Sequence, residues 1–225
     1  MVYTEKEILD ELNSFDELED IYIKPMINYR GKTMDTKEKF TEVIAKEIFY
    51  NCDKFNFNNI QIIKRNMSYN VDTHDGKCNE DSNRREELIA KKMFNKVYSN
   101  LGKVIDYQVP IKDKSDTKAG KIDLISYDKQ KKMLYLVELK NDVSKETLLR
   151  CVLEIMSYVN QIDVDKLKKD YCLDIDTKII PAILIFEETR PYQDINDEYV
   201  KKLIDRFGIS LFIAKVGDEF LIELD

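Results

Sequence analysis

The feature that most constrains the fold is an apolar run, "KIIPAILIFE", at residues 178–187. The run is far too short to span a bilayer, and it is apolar at consecutive positions rather than at alternate ones. A strand that is apolar on both faces belongs inside a sheet that is covered on each side by further layers. The run therefore predicts a buried strand deep in the sheet of a layered α/β domain.

The segments around this strand alternate between helical and extended patterns. Apolar residues at helical spacing predict helices, with Ser82 or Asn83 as the cap of the first, at residues 82–102, 144–162 and 196–208. Strand patterns lie at 103–111, at two places within 120–140, and in a final hairpin at 209–224 with Gly217 and Asp218 in its turn. This order predicts an α/β fold with a mixed central β-sheet flanked by helices.

The first part of the chain is predicted to be an N-terminal helical elaboration, residues 1–75, in front of a core at residues 76–225. Helical spacing is found at 4–18 and 35–52, and the pattern at 57–69 predicts a strand. A polar stretch, residues 70–83, marks the boundary between the two parts.

The charge balance limits the classes of partner. The formal net charge is -7, from 36 Lys and Arg against 43 Asp and Glu. A domain that holds nucleic acid by charge alone is basic, so that class is disfavoured. An enzyme of nucleic acid with an acidic site stays open, and Lys91 and Lys92 fit either a phosphate contact or a solvated helix face.

The cysteine and histidine contents exclude several kinds of site. None of the four cysteines has CxxC spacing, which disfavours a zinc ribbon and favours reduced thiols in a cytoplasmic protein. The single histidine, His74, excludes phosphohydrolase sites that need several histidines, and we interpret it as a plain loop residue. No P-loop, GxGxxG or GxSxG motif is present. The first 15 residues lack the pattern of a signal peptide, so no membrane association is expected.

The stretch "GKIDLISYDKQKKMLYLVELK", residues 120–140, predicts two strands joined by a polar turn. Side chains alternate between faces along a strand, so Glu138 and Lys140 share one face of the second strand. Asp123 points to the opposite face from its two neighbours in the first. If the strands pair through the turn, Asp123 stands beside Glu138.

Two carboxylates in a partly buried place repel each other and lose hydration, and a cation relieves both penalties. Oxygen ligands around an open coordination shell suit Mg²⁺ or Mn²⁺. Lys140 beside such an ion could orient or deprotonate a water, or stabilise charge on a pentavalent phosphate. The structural alternative is a Glu-x-Lys pair at the exposed end of an edge strand, with Asp123 capping a turn.

"GKIDL" and "LVELK", with 14 residues between Asp123 and Glu138, resemble the PD-(D/E)XK nuclease superfamily. Its members carry an acid on one central strand and (D/E)-x-K on the next, inside a restriction-endonuclease-like core of order αβββαβ. The chain is similar to this order over residues 82–187. Ile122 stands where the name of the superfamily has proline, which is a frequent departure. The resemblance implies a metal-dependent nuclease.

The resemblance also implies roles for individual residues. The implied catalytic residues are Asp123, Glu138, Lys140 and Glu86, and the implied metal ligands are Asp123, Glu138, the Leu139 carbonyl oxygen and Glu86. Glu86 is matched to an acid on the first core helix, for which Glu87 is an alternative. A carboxylate that merely interacts with the helix dipole is a second alternative.

The helix predicted at 144–162 carries a polar line formed by Arg150, Glu154 and Tyr158. In RecB-like members a Gln-xxx-Tyr on this helix flanks the active site, and here Glu154-xxx-Tyr158 replaces it. The resemblance implies that all three residues contact the substrate. An Arg–Glu pair on a solvated face is the alternative for Arg150.

The sequence therefore predicts a nuclease that uses Mg²⁺ or Mn²⁺ to hydrolyse phosphodiester bonds of nucleic acid, with DNA favoured over RNA. The alternative is a catalytically inactive nuclease-fold module for binding or assembly, which the acidic net charge favours. A homodimer or a larger protein complex is compatible with either.

Overall fold

A seven-stranded mixed sheet forms the centre of the chain, and its strands follow one another across the sheet in chain order. The computed structural model describes residues 3–15, 17–78, 83–113, 120–215 and 221–224. The strands are β1 (Val97–Tyr98), β2 (Gly102–Pro110), β3 (Lys121–Asp128), β4 (Met133–Leu139), β5 (Lys178–Phe186), β6 (Ser210–Lys215) and β7 (Leu221–Leu224). The pairs β4–β5 and β5–β6 are parallel, and the other four pairs are antiparallel.

Helices cover both faces of this sheet. Those in the described residues are α1 (Glu5–Asn13), α2 (Phe40–Tyr50), α3 (Arg85–Met93), α4 (Leu148–Gln161), α5 (Val164–Asp170), α6 (Arg190–Gln193) and α7 (Glu198–Phe207). Short 3₁₀ helices lie at Leu18–Ile23, Pro25–Asn28 and Phe57–Asn59. The mixed α/β class predicted from the sequence is confirmed.

Two apolar cores lie on the two faces of the sheet. The α4-side core joins α4 and α7 to the sheet and includes Leu136, Val152, Ile155, Ile183 and Leu203. The α3-side core joins α3 to the opposite face and includes Ile89, Met93, Val137, Leu139 and Leu184. A sheet that is covered in this way needs strands that are apolar on both faces.

Strand β5 meets that requirement and confirms the prediction from the apolar run. It lies between β4 and β6, and residues 182–186 are buried. Ile183 and Ile185 face the α4-side core, whereas Ala182, Leu184 and Phe186 face the α3-side core.

The N-terminal segment packs on α4 instead of standing apart. Its α1 and α2 contribute Ile8, Leu12 and Ile44 to the α4-side core. The N-cap of α4, Thr147, donates its hydroxyl to the Ile27 carbonyl at 2.8 Å. The segment therefore fixes the start of the helix that carries the polar line.

The strand predicted at residues 57–69 is wrong. This stretch begins with the 3₁₀ helix Phe57–Asn59, and residues 60–69 are neither helix nor strand. Its apolar residues Phe57, Ile60 and Tyr69 are buried against the α4-side core. The apolar residues of this stretch are spaced as in a strand because they pack into the core, and the stretch pairs with no strand of the sheet.

The helix predicted at residues 82–102 is wrong beyond Met93. Asn95 has a left-handed φ of 63°, and the chain turns back so that Val97 and Tyr98 pair with the start of β2. Gly102 begins β2 with a φ of 82°, and a side chain there would strike the backbone of Tyr127. Gly102 therefore serves a close strand contact and not the end of a helix.

Helix α5 was not predicted, although Asp163 caps it by accepting a hydrogen bond from the Lys166 N–H. Of the two predicted caps of α3, Ser82 lies outside the described residues, as does the hairpin turn at Gly217 and Asp218, and Asn83 is not the cap because Arg84 occupies the N-cap position. Within the described residues, no helix is long and apolar enough to cross a membrane.

Candidate active site

The hairpin of β3 and β4 places Asp123 and Glu138 next to each other. The β3–β4 ladder ends at the pair of Leu124 with Val137. Just beyond it the Leu139 N–H donates to the Asp123 carboxylate, so Asp123 lies beside the end of β4 that carries Glu138. The expected alternation holds for Leu124, which faces the α3-side core, but fails for Ile122, which packs in the α4-side core. On the neighbouring β2, Gln108 lies between the paired residues Tyr107 and Val109 and has a left-handed φ of 48°.

Asp123 is half-buried, and protein groups hold both of its oxygens. Gln108 donates from Nε2 to one oxygen at 2.6 Å, and the Leu139 N–H donates to the other at 2.9 Å. Burial raises the pKa of Asp123 to about 7, although the Lys140 ammonium and the Leu139 N–H lower it, and the carboxylates of Glu86 and Glu154 raise it further. The site thus holds a carboxyl that is poised to release its proton near neutral pH.

Lys140 lies at the centre of three carboxylates. Its Nζ is 2.6 Å from Glu138, 2.8 Å from Glu146 and 3.2 Å from Glu154. Lys140, Glu138 and Glu154 are only 5%, 3% and 8% exposed. Glu146 was not identified from the sequence, because it lies in the loop before α4 and only the fold brings it to the lysine.

The charges of this cluster depend strongly on one another. Burial raises the pKa of Glu138 well above its usual range, Glu154 and Asp123 add to the rise, and Lys140 opposes it. Burial alone would lower the pKa of Lys140, but Glu138 and Glu154 raise it well above its usual value. Lys140 is therefore a firmly protonated ammonium that balances an excess of buried negative charge.

Tyr158 connects this cluster to the N-terminal segment. Its hydroxyl donates to Glu154 Oε1 at 3.0 Å and lies 3.2 Å from the hydroxyl of Tyr22. The ring also lies against Gly120, where a Cβ would overlap it. Tyr158 is buried, so it orients Glu154 and is not a surface on which a substrate could pack as the structure stands.

Arg150 lies at the edge of the cluster. Its guanidinium is 3.4 Å from Glu146 and 4.0 Å from Glu154, and the side chain is 26% exposed. The Arg–Glu pair considered as an alternative is thus present, although Glu154 belongs to a buried cluster and not to a solvated face.

The two acids of α3 differ in their surroundings. Glu86 accepts a hydrogen bond from Asn141 Nδ2 at 3.0 Å, just beyond β4, and its charge acts on Asp123. Glu87 instead pairs with Lys91 at 2.7 Å. The structure therefore brings Glu86 to the Asp123 end of the sheet and favours it over Glu87 as an additional acid of the site.

An open cleft of about 420 Å³ leads to Asp123. Its charged lining consists of Arg84, Arg85, Glu86, Glu87, Lys121 and Asp123. Cations beside a carboxylate site are what an anionic substrate needs, since they lower the cost of bringing its charge close to the acids.

The donor chemistry at this place fits a hard divalent cation. Asp123 and Glu138 are carboxylates on neighbouring strands whose pKa values are raised by burial, and the charge of Asp123 adds to the rise at Glu138. A cation would relieve both effects. Within the described residues, no group of three or more His, Cys, Asp or Glu is arranged to hold a metal ion. The ligands that the resemblance implies here are the carboxylates of Asp123 and Glu138 and the Leu139 carbonyl oxygen, with Glu86 as an additional acid.

His74 occupies a more defined position than the sequence indicated. Its Nδ1 lies 2.5 Å from Oδ1 of Asp106, which is 1% exposed, and its ring stacks on Tyr107 at 4.1 Å. His74 lies in a loop, as expected, but its ring is held in place by a buried acid and an aromatic ring. The available signal was the acid within the apolar strand "VIDYQV", which parallels the acid in "KIDLI".

Comparisons with protein-family models, with curated proteins and with solved structures give no match to this chain.

Proposed function

We propose that the chain is a metal-dependent nuclease that hydrolyses phosphodiester bonds of nucleic acid, with DNA favoured over RNA. The observation that carries the proposal is the assembly of Asp123, Glu138 and Lys140 at neighbouring ends of β3 and β4. The element order α3–β2–β3–β4–α4–β5 supports a restriction-endonuclease-like core of order αβββαβ, with the short β1 and the helix α5 as additions.

Mg²⁺ or Mn²⁺ bound at this site would polarise the phosphate and supply an activated water. Asp123, Glu138 and the Leu139 carbonyl oxygen would hold the ion, with Glu86 near them. Lys140 remains protonated because of its raised pKa, so we assign it to stabilising negative charge on the phosphate and not to taking a proton from water. Glu146 and Glu154 hold its ammonium in position.

An inactive binding or assembly module is the second candidate function. The closed cluster around Lys140 favours it, because each charge there already has a partner within the protein. Against it stands the raised pKa of Asp123, since burying an acid that serves only structure costs stability without return.

The free state of Cys52, Cys78, Cys151 and Cys172 supports a cytoplasmic location, where thiols stay reduced. DNA is the proposed partner, and a homodimer or a larger complex remains open.

A cleavage assay tests the proposal. Purified protein is incubated with single- and double-stranded DNA and RNA in Mg²⁺, in Mn²⁺ or in EDTA. We expect metal-dependent cleavage of DNA that is lost in Asp123→Asn and Lys140→Met and kept in the control Lys132→Met, an exposed lysine at the turn of the same hairpin.

No cleavage of any substrate, together with no heat of Mg²⁺ or Mn²⁺ binding in calorimetry, would refute the nuclease and support the binding module. Cleavage that persists in Asp123→Asn would refute the assignment of the site.

A further inference from the structure

A second cleft, of about 370 Å³, lies beside the first, between residues 71–77, α3 and the edge of β2 and β3. The charged groups in its lining are Lys77, Arg84, Lys91 and Lys121 against Asp75 and Glu87. Even with the acids counted, the lining has an excess of two positive charges in a chain whose net charge is -7. A local positive excess on an acidic protein is an electrostatic footprint for an anion.

His74 is a fixed part of this lining. Its Nδ1 is held by Asp106, and its ring stacks on the buried Tyr107. The described part of the chain gives Nε2 no hydrogen-bond partner. With one ring nitrogen bonded to a carboxylate, the other is the one left to act on a ligand.

The bond to Asp106 orients the ring and is not needed to satisfy the carboxylate. Asp106 already accepts hydrogen bonds from the Val71 N–H at 3.1 Å, the Tyr107 N–H at 2.8 Å and the Tyr171 hydroxyl at 2.6 Å. Three donors are ample for a buried carboxylate. Because Asp106 does not need His74 as a donor, and His74 lines a cleft with an excess of positive charge, we interpret its position as suited to ligand binding.

The two clefts adjoin each other at the candidate active site. Both are lined by Arg84, Glu87, Gln108 and Lys121. Gln108 lies at their junction, where it also donates to Asp123. An anion bound in the second cleft would therefore lie next to Gln108, whose side chain donates to Asp123.

We propose that the second cleft binds a backbone phosphate of DNA, next to the phosphate that lies at Asp123. In the imidazolium form of His74 both ring nitrogens donate, Nδ1 to Asp106 and Nε2 to a phosphate oxygen. Lys121 supplies further positive charge, and Lys91 adds to it although it also pairs with Glu87. The inference rests on the proposed nuclease function and assigns to it a binding site for the substrate strand. It also gives His74 and Asp106, which the nuclease motif does not include, a role in positioning.

DNA binding, measured apart from cleavage, tests the inference. Fluorescence anisotropy of labelled single- and double-stranded DNA is recorded in EDTA, which stops metal-dependent cleavage. The variants are His74→Asn and Lys121→Gln, and the control is Lys6→Gln, an exposed lysine on α1. We expect each cleft variant to raise the Kd about tenfold, as for loss of one charge-assisted hydrogen bond, and the control to bind as wild type.

The salt dependence separates a phosphate contact from a general loss of structure. For Lys121→Gln, the slope of log K against log salt is expected to fall by about one. Lys121 is exposed, so this variant folds whatever the effect of changing His74.

The inference would be overturned if the wild-type protein bound no DNA or if the cleft variants bound DNA as wild type does. It would also be overturned if these residues bound only RNA or only inorganic phosphate and not DNA. Cleavage is scored separately. If the cleft variants cleave DNA and bind it as wild type does, the proposed phosphate site is refuted and the proposed nuclease function is not. Binding through the cleft without cleavage under any condition supports the cleft and refutes the nuclease.

Discussion

Replacing Asp123 with asparagine is expected to stabilise the fold at pH 8 while it abolishes cleavage. Burial raises the pKa of Asp123 to about 7, against about 3.9 in an unfolded chain. That difference corresponds to a cost of about 4 kcal/mol for an ionised Asp123 in the folded state above pH 7. Asparagine has no charge to bury.

Two effects reduce the gain. Asparagine has a single acceptor oxygen, so it accepts from Gln108 Nε2 or from the Leu139 N–H but not from both, and the lost hydrogen bond costs about 1 kcal/mol. The carboxyl is also only half-buried, so solvent screens part of its cost. We therefore expect a net increase of about 1–2 kcal/mol in the free energy of unfolding at pH 8.

The effect must disappear at low pH. Between about pH 4 and pH 7, the folded chain keeps a proton on Asp123 that the unfolded chain has released. This contribution to stability is complete below the unfolded pKa and is lost as the pH rises through the folded pKa. At pH 5 Asp123 is neutral in the folded state, so the advantage of asparagine is largely gone.

Urea unfolding at pH 5 and at pH 8, in EDTA, measures both values. Asp128 on the same strand is the matched control: burial acts to raise its pKa, but hydrogen bonds from Lys131 and Gln130 lower it overall. Asp128→Asn is therefore expected to lose stability at pH 8. An Asp123→Asn variant that is less stable than wild type at pH 8, or whose difference from wild type is the same at both pH values, would refute the reasoning.

Three other perturbations have definite expected outcomes. Lys140→Met leaves the buried carboxylates of Glu138 and Glu154, and the half-buried one of Glu146, without their shared cation and should cost about 3–5 kcal/mol in urea unfolding at pH 8; a loss below about 1 kcal/mol would contradict the expected role of Lys140. Gly120→Ala places a Cβ on the Tyr158 ring and should lower the free energy of unfolding by about 1–3 kcal/mol in thermal melts, whereas an unchanged Tm would show that the ring can move. Mg²⁺ at 100 times its Kd should stabilise wild type by about 2.7 kcal/mol and leave Asp123→Asn unaffected; equal shifts in both would place the ion elsewhere.

Local pattern misled the prediction of a helix over residues 82–102. The spacing of Ile89, Met93, Val97 and Leu101 continues a helical stripe, but the chain leaves the helix after Met93. Val97 is 73% exposed and Leu101 is buried, so the stripe does not lie on one helix face. The chain leaves the helix here because the start of β2 packs closely against β3, which requires glycine at position 102. This contact joins segments that are distant in the chain, so no local pattern predicts it.

At the candidate site, the pattern of two strands joined by a polar turn was enough to predict that Asp123 would lie near Glu138, although the expected alternation fails at Ile122. Other contacts depend on segments that are distant in the chain. Glu146 reaches Lys140 from the loop before α4, and Tyr22 reaches Tyr158 from the N-terminal segment. Such contacts depend on how α4 packs, which residue spacing does not specify.

The sequence by itself determined the α/β class, the buried central strand and the pairing of an acid with Glu-x-Lys on one hairpin. These are short-range properties, set by hydrophobic periodicity and by the two-residue repeat of a strand. Only the tertiary structure decided that Lys140 is shared by three carboxylates and that His74 is held by Asp106 in a cationic cleft. Burial and the approach of distant segments set the energies of those charges, and both exist only in the folded chain.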